Sequence, residues 1–239
     1  MFHWAEINKK NKILIATHLS LQSILLVSYF FMSAFRLEGY QPDIYKKMYV
    51  CFMTWGVFLF SILIVLWEIK GNYHKRIIEI LVGVMIFSFS SLPLILIIFS
   101  VGRLNGINFI LPLILQMLWG IVILSIKNLL INMKVSMWYI KYLLFIFVIT
   151  VLLISMIFLF FYVQYAQLVI TTIYDKDIPI FFFTNPLISI MGLSHVQVGG
   201  STQMQYRPVL FFLVCWTVFS TAINITAYRF SKLRRINHE

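Results

Sequence analysis

Residues 80–126 read ILVGVMIFSFSSLPLILIIFSVGRLNGINFILPLILQMLWGIVILSI, a stretch of 47 residues in which Arg103 is the one charged side chain. A helix crossing a bilayer needs about 20 predominantly apolar residues, so this stretch holds two of them, parted at Arg103. The rest of the chain agrees. Of its 239 residues 61% are hydrophobic and 11% charged, where soluble domains carry about 25% charged residues. The chain reads as an all-α, polytopic integral membrane protein.

Working outward, charged residues delimit six windows long enough to span: Ile13–Phe35, Met48–Trp67, Ile80–Gly102, Leu104–Ile126, Tyr142–Val163 and Pro208–Tyr228. Residues 13–239 are expected to form one six-helix transmembrane domain. Ile178–Leu193 is apolar but short and contains Pro179 and Pro186. Proline removes a backbone donor that lipid cannot replace, so a re-entrant hairpin is expected there, before the sixth helix. Residues 1–12, with Phe2, Trp4 and Ile7 among polar neighbours, suit a helix lying in the interface, the alternative being a disordered tail. No small-residue cleavage site follows Lys9–Lys12 at signal-peptide distance, so the first helix is expected to be retained.

The net charge of +11 bears on orientation before it bears on nucleic acid, and no nucleic-acid partner is expected. Six spans place Lys9, Lys10, Lys12, Lys70, Lys75, Arg76, Lys127, Lys134, Lys141, Arg229, Lys232, Arg234 and Arg235 on one side. Arg36, Lys46, Lys47, Arg103, Lys176 and Arg207 fall on the other. Thirteen against six puts both termini in the cytoplasm of a multi-pass cell-membrane protein. Cys51 and Cys215 sit in apolar runs without metal-ligand spacing, so no disulfide framework and no metal are expected.

No phosphate loop, GxGxxG, HExxH or GxSxG occurs, so no cofactor and no catalytic residue is assigned. Every acidic and basic residue falls at or beyond the ends of the six windows, which counts against a pump driven by an ion gradient. The ionisable group inside a window is His18. With Gln22, Tyr29 and Ser33 it forms one stripe on the first helix; Thr217, Thr221, Asn224 and Tyr228 form another on the sixth. Such stripes either line a substrate path or hydrogen-bond to neighbouring helices as packing, and composition leaves both readings open.

Thr184-Asn185-Pro186-Leu187-Ile188-Ser189-Ile190-Met191 resembles the Asn-Pro-hydrophobic segment that permease subunits of ABC-2 type ATP-binding cassette transporters carry before their last helix. The basic ending Tyr228-Arg229-Phe230-Ser231-Lys232-Leu233-Arg234-Arg235 is similar to the family's exit from that helix. Glu68, Gly71 and the Glu79-Ile80-Leu81 step resemble its segment between helices two and three, although the family's threonine before that step and proline after it are missing. The resemblance implies a bacterial-type export permease, paired with a second permease chain, identical or related, and with a cytoplasmic ABC ATPase dimer that binds the ATP. It makes Lys70, Lys75, Arg76 and Glu79 candidates for coupling to the ATPase, and Asn185 and Pro186 candidates for an outer gate. An ordinary basic loop that fixes orientation explains the same charges. Apolar and hydroxyl-bearing walls without carboxylates suit an amphipathic, peptide or lipid-like cargo. Two other readings compete: an immunity or sensor protein that binds a toxin or partner without transport, and a membrane-embedded enzyme.

Overall fold

The computed structural model describes residues 8–35, 42–104, 110–168, 185–198 and 206–236. These form helices α1 (Lys9–Ala34), α2 (Pro42–Val65), α3 (Tyr73–Phe89), α4 (Leu92–Val101), α5 (Ile110–Asn132), α6 (Met137–Leu168), α7 (Pro186–Gln197) and α8 (Tyr206–Ile236), with no strand among the described residues. Five segments are long and apolar enough to cross a membrane: Lys9–Phe31, Ile44–Val65, Tyr73–Val101, Ile110–Asn132 and Met137–Ile157. The protein is therefore a helical, multi-pass membrane protein.

Helix ends are set by backbone geometry and not by the charges that delimit the sequence windows. Arg103 adopts φ 49°, and the N–H of Leu104 donates to Phe99 O at 3.1 Å while that of Arg103 donates to Ser100 O. This paired closure, with a left-handed residue just past the end, satisfies the last carbonyls of α4. Lys134 at φ 61° closes α5 in the same way, through Val135 N–H to Leu130 O and Lys134 N–H to Ile131 O. The helix expected over 104–126 is described from Ile110 and continues to Asn132, past its expected end, while residues 105–109 lie outside the described residues. The span expected at 80–102 starts earlier, at Tyr73, and is broken at Ser90-Ser91 into α3 and α4. Pro93, in the first turn of α4, has no N–H for the carbonyl four residues back.

The remaining expectations shift similarly. Lys9–Lys12 belong to α1 itself and do not end a separate interfacial helix; residues 1–7, including Phe2, Trp4 and Ile7, lie outside the described residues. The first arm of the expected re-entrant hairpin, 178–184, also lies outside them. The residues expected in its second arm fall on α7, where Leu187, Ile188, Ile190 and Leu193 are buried as α7 packs among α2, α5 and α6.

At the centre stand α2 and α5, whose spans are 56% and 61% buried against 22% for that of α1 and 28% for that of α6. Phe52, Phe60 and Ile64 of α2 and Leu115, Trp119 and Val122 of α5 supply the core. Gly120 permits this approach, since a Cβ there would lie 2.6 Å from the Phe60 ring, and Gly83 of α3 does the same for Trp67, whose ring would lie 2.6 Å from its Cβ. Close packing at small residues is how helices associate where lipid removes the hydrophobic drive.

One buried charge corrects the reading that all ionisable groups but His18 sit at span ends. Lys127 of α5 is 1% exposed, and its ammonium donates to Val65 O at 2.7 Å and Trp67 O at 2.6 Å. It supplies from α5 the donors that the last carbonyls of α2 lack. Arg76 of α3, 9% exposed, donates to Asn132 Oδ1 at 2.7 Å. Nearby, Glu68 ties the α2–α3 loop to α1. Its carboxylate accepts from Lys10 Nζ at 2.7 Å and Asn8 Nδ2 at 2.6 Å, while its backbone N–H and C=O pair with the Asn11 amide. The Lys10 hydrogen bond, more than any other contact, holds the Glu68 carboxyl down to about 2 from its ordinary 4.5.

Two outcomes test this frame. Lys127→Met leaves two buried carbonyls without donors, at about 1–3 kcal/mol for each group. Thermal unfolding in mild detergent should show the loss, and Lys127→Met as stable as wild type would remove the cap from its structural role. The Glu68 contribution, because its folded pKa is depressed, is complete above about pH 4.5 and is lost as pH falls toward about 2. Amide exchange in the first turns of α1, corrected for intrinsic rates, should rise several-fold over that window, and at pH 7 in Glu68→Gln.

Candidate functional site

An open groove of about 650 Å³ runs between α3, α5 and α8. Among the described residues, α8 packs chiefly on α5, which leaves its flank toward α3 open. Two short polar contacts fix α8 there: Ser125 and Ser220 hydroxyls meet at 3.2 Å, and Asn224 Nδ2 donates to Ser125 Oγ at 2.9 Å. At one end Tyr73 of α3 reaches across, its hydroxyl donating to Asn224 O at 2.7 Å, its ring 5.5 Å from that of Tyr228. Elsewhere the walls are apolar, with Ile78 and Leu81 of α3, Leu118 and Ile121 of α5, and Ile225 of α8.

The structure brings Thr217, Thr221 and Asn224 together along this groove. Their donor groups are occupied within the protein, while Asn224 Oδ1 is buried without a hydrogen-bond partner among the described residues. The Thr217 hydroxyl donates to Leu213 O at 2.6 Å, that of Thr221 to Thr217 O at 2.8 Å, and Asn224 Nδ2 also to Ser220 O. Threonines bonded back to their own helix present methyl groups outward.

The other stripe goes elsewhere. His18 and Gln22 are buried against α2: His18 Nε2 lies 3.3 Å from Gly56 O, its ring edge-on to Phe87 at 5.1 Å. A Cβ on Gly56 would lie 2.6 Å from Gln22 Nε2. Both residues pack against α2, and neither lines the groove between α3, α5 and α8. Tyr29 is half-buried on the same helix, packed against the core.

Of the coupling candidates, Lys70 and Lys75 are exposed and Glu79 is half-buried. Glu79 Oε2 accepts the Lys70 backbone N–H at 2.9 Å, and Lys70 Nζ lies 3.5 Å from Glu68. Gly71 makes the intervening turn at φ 92°, a conformation that favours glycine. Arg76 differs from its expected surface role, because it is turned inward to Asn132.

Asn185 and Pro186 form the start of α7. Pro186 is its first residue, where a missing N–H costs nothing. Asn185 Oδ1 accepts from Leu187 N–H at 3.0 Å and from the Ser155 hydroxyl of α6 at 2.6 Å, while its Nδ2 donates to Val151 O. One side chain thus caps α7 and holds it to α6.

Sequence reasoning missed Tyr73, Lys127 and the Ser125–Ser220 pair. The signal for Lys127 was present: Leu129, Leu130 and Ile131 continue the apolar run beyond it, which a window ended by the first charge discards.

No family model matches the chain, and no curated protein or solved structure is similar enough to match it.

Replacing Asn185 by Ala removes the cap and both contacts to α6, a loss of about 2 kcal/mol or less. Asn185→Ser keeps the cap alone. Unfolding in detergent should rank wild type above Asn185→Ser above Asn185→Ala, and equal stability of all three would detach Asn185 from the start of α7.

Proposed function

We propose that the chain is the permease subunit of an ATP-binding cassette exporter of the ABC-2 type, forming with a second permease chain the path for an amphipathic, peptide or lipid-like substrate. In this reading α8 is the sixth span, α7 is the second arm of a re-entrant hairpin, and both termini are cytoplasmic. A separate ATPase supplies the energy.

The observation that carries the reading is the Asn185-Pro186 start of a short buried helix ahead of the last long helix. At that place the chain has the residues on which its resemblance to the family rests. Two further features support it. Basic residues of the α1 start, the α2–α3 loop and the α5 end gather at one end of the bundle, joined there by the Lys10–Glu68 and Arg76–Asn132 contacts. At the same end Trp138 and Tyr142 of α6 are exposed and stacked at 5.7 Å, as aromatic side chains are at a membrane interface. The buried Lys127 does not revive an ion-driven pump, because its ammonium is committed to two carbonyls.

Lys75, beside the α2–α3 loop, is exposed and so can meet a partner, unlike Arg76, which is turned inward to Asn132. Co-purification in mild detergent should bring down a P-loop ATPase in stoichiometric amount. Lys75→Glu should weaken that association several-fold with the membrane level of the chain unchanged. Asn72→Cys, in a background without Cys51 and Cys215, should resist an impermeant thiol reagent in intact cells while Gly200→Cys is labelled. Labelling of Asn72→Cys would overturn the orientation, and normal association in Lys75→Glu would leave the loop with an orienting role alone.

A further inference from the structure

We propose that the groove between α3, α5 and α8 holds an acyl chain of an anionic phospholipid drawn from the leaflet on the protein's basic side. The inference rests on α3, α5 and α8 crossing the bilayer and not on transport.

Length is the first argument. From Tyr228 to Thr217 the groove follows α8 for three turns, about 16 Å at 1.5 Å per residue, close to the ~15 Å of hydrocarbon in one leaflet. The volume of about 650 Å³ is that of a ligand site. Chemistry is the second. Ile78, Leu81 and Ile225 are exposed and face the groove, and the threonine hydroxyls are already bonded to their own helix. Such walls suit a hydrocarbon chain better than water or a polar solute.

Charge selects the headgroup. Among the described residues no acidic side chain lines the groove. The groove ends at Tyr73, His74 and Tyr228, and next to them the exposed Lys75, Arg229 and Lys232 place cations at headgroup level. Lys232 continues the stripe of Thr221, Ile225 and Tyr228 by one helical turn. Basic residues at a membrane surface attract anionic headgroups, while a zwitterionic headgroup gains little from them.

The test uses the full-length chain, purified without any ATPase, in mixed micelles of phosphatidylglycerol and phosphatidylcholine with matched acyl chains. Native mass spectrometry then counts retained lipid. Wild type should retain one phosphatidylglycerol in preference to phosphatidylcholine by about fivefold or more, the gain that a single basic residue at a membrane surface supplies. Thr221→Phe, an exposed position where the larger ring fills the groove without entering the core, should lose both lipids, and Ile78→Trp should do so from the opposite wall. Arg229→Glu with Lys232→Glu should abolish the preference while one lipid is still retained. Equal retention of the two lipids by wild type would overturn the headgroup assignment, and retention unchanged in both Thr221→Phe and Ile78→Trp would overturn the groove as the site. Because no ATPase is present, either failure leaves the export reading standing, and failure of ATPase association leaves the lipid site, which shares with that reading only the crossing of the bilayer by α8, standing.

Discussion

A single ammonium group joins the two central helices. Lys127 Nζ of α5 sits between the carbonyls of Val65 and Trp67, where α2 ends and the chain turns toward α3. A helix terminus buried in a bilayer protein must find partners for its last carbonyls, since neither lipid nor water is at hand. By supplying them from α5, Lys127 fixes how far α2 reaches along α5. It also places Trp67, which stacks on Phe87 of α3 at 5.6 Å and covers Gly83. The register of α2, α3 and α5 follows from that contact.

What surrounds it depends on this register. With α3 held beside α5, Arg76 meets Asn132 and Tyr73 faces Asn224 of α8. Since α8 is pinned to α5 through Ser125 and Ser220 and touches α3 mainly at the Tyr73 end, the flank between them stays open and becomes the groove. On the other side of α5, α7 fills the space among α2, α5 and α6, held at its start by Asn185. Loss of any of these polar contacts costs more inside a membrane protein's core than at a wet surface, because the released group is left without a partner.

Membrane character, helical class and the approximate place of most spans were legible in residue order, because about 20 apolar residues between charges admit few other structures. A break in the backbone at Asn185-Pro186 was legible too, and α7 starts there, since proline at a first helical position and asparagine before it act through local backbone chemistry. The two polar stripes were visible but their surroundings were not. His18 and Gln22 lie against α2 at Gly56, whereas Thr217, Thr221 and Asn224 line the groove because, among the described residues, α3 meets α8 mainly at the Tyr73 end. Both stripes have the same helical spacing, and spacing does not say what lies opposite.

The amino-acid order by itself determined which segments are apolar enough to leave water and where proline and glycine shape the backbone, properties that each stretch carries alone. Tertiary structure alone decided that Lys127 and Arg76 lie inside, that α7 is buried and that the groove opens beside α8. Burial of a charge depends on accepting carbonyls at a helix end some sixty residues away, and a groove exists only where two neighbours fail to meet. Neither condition belongs to any one segment of the chain.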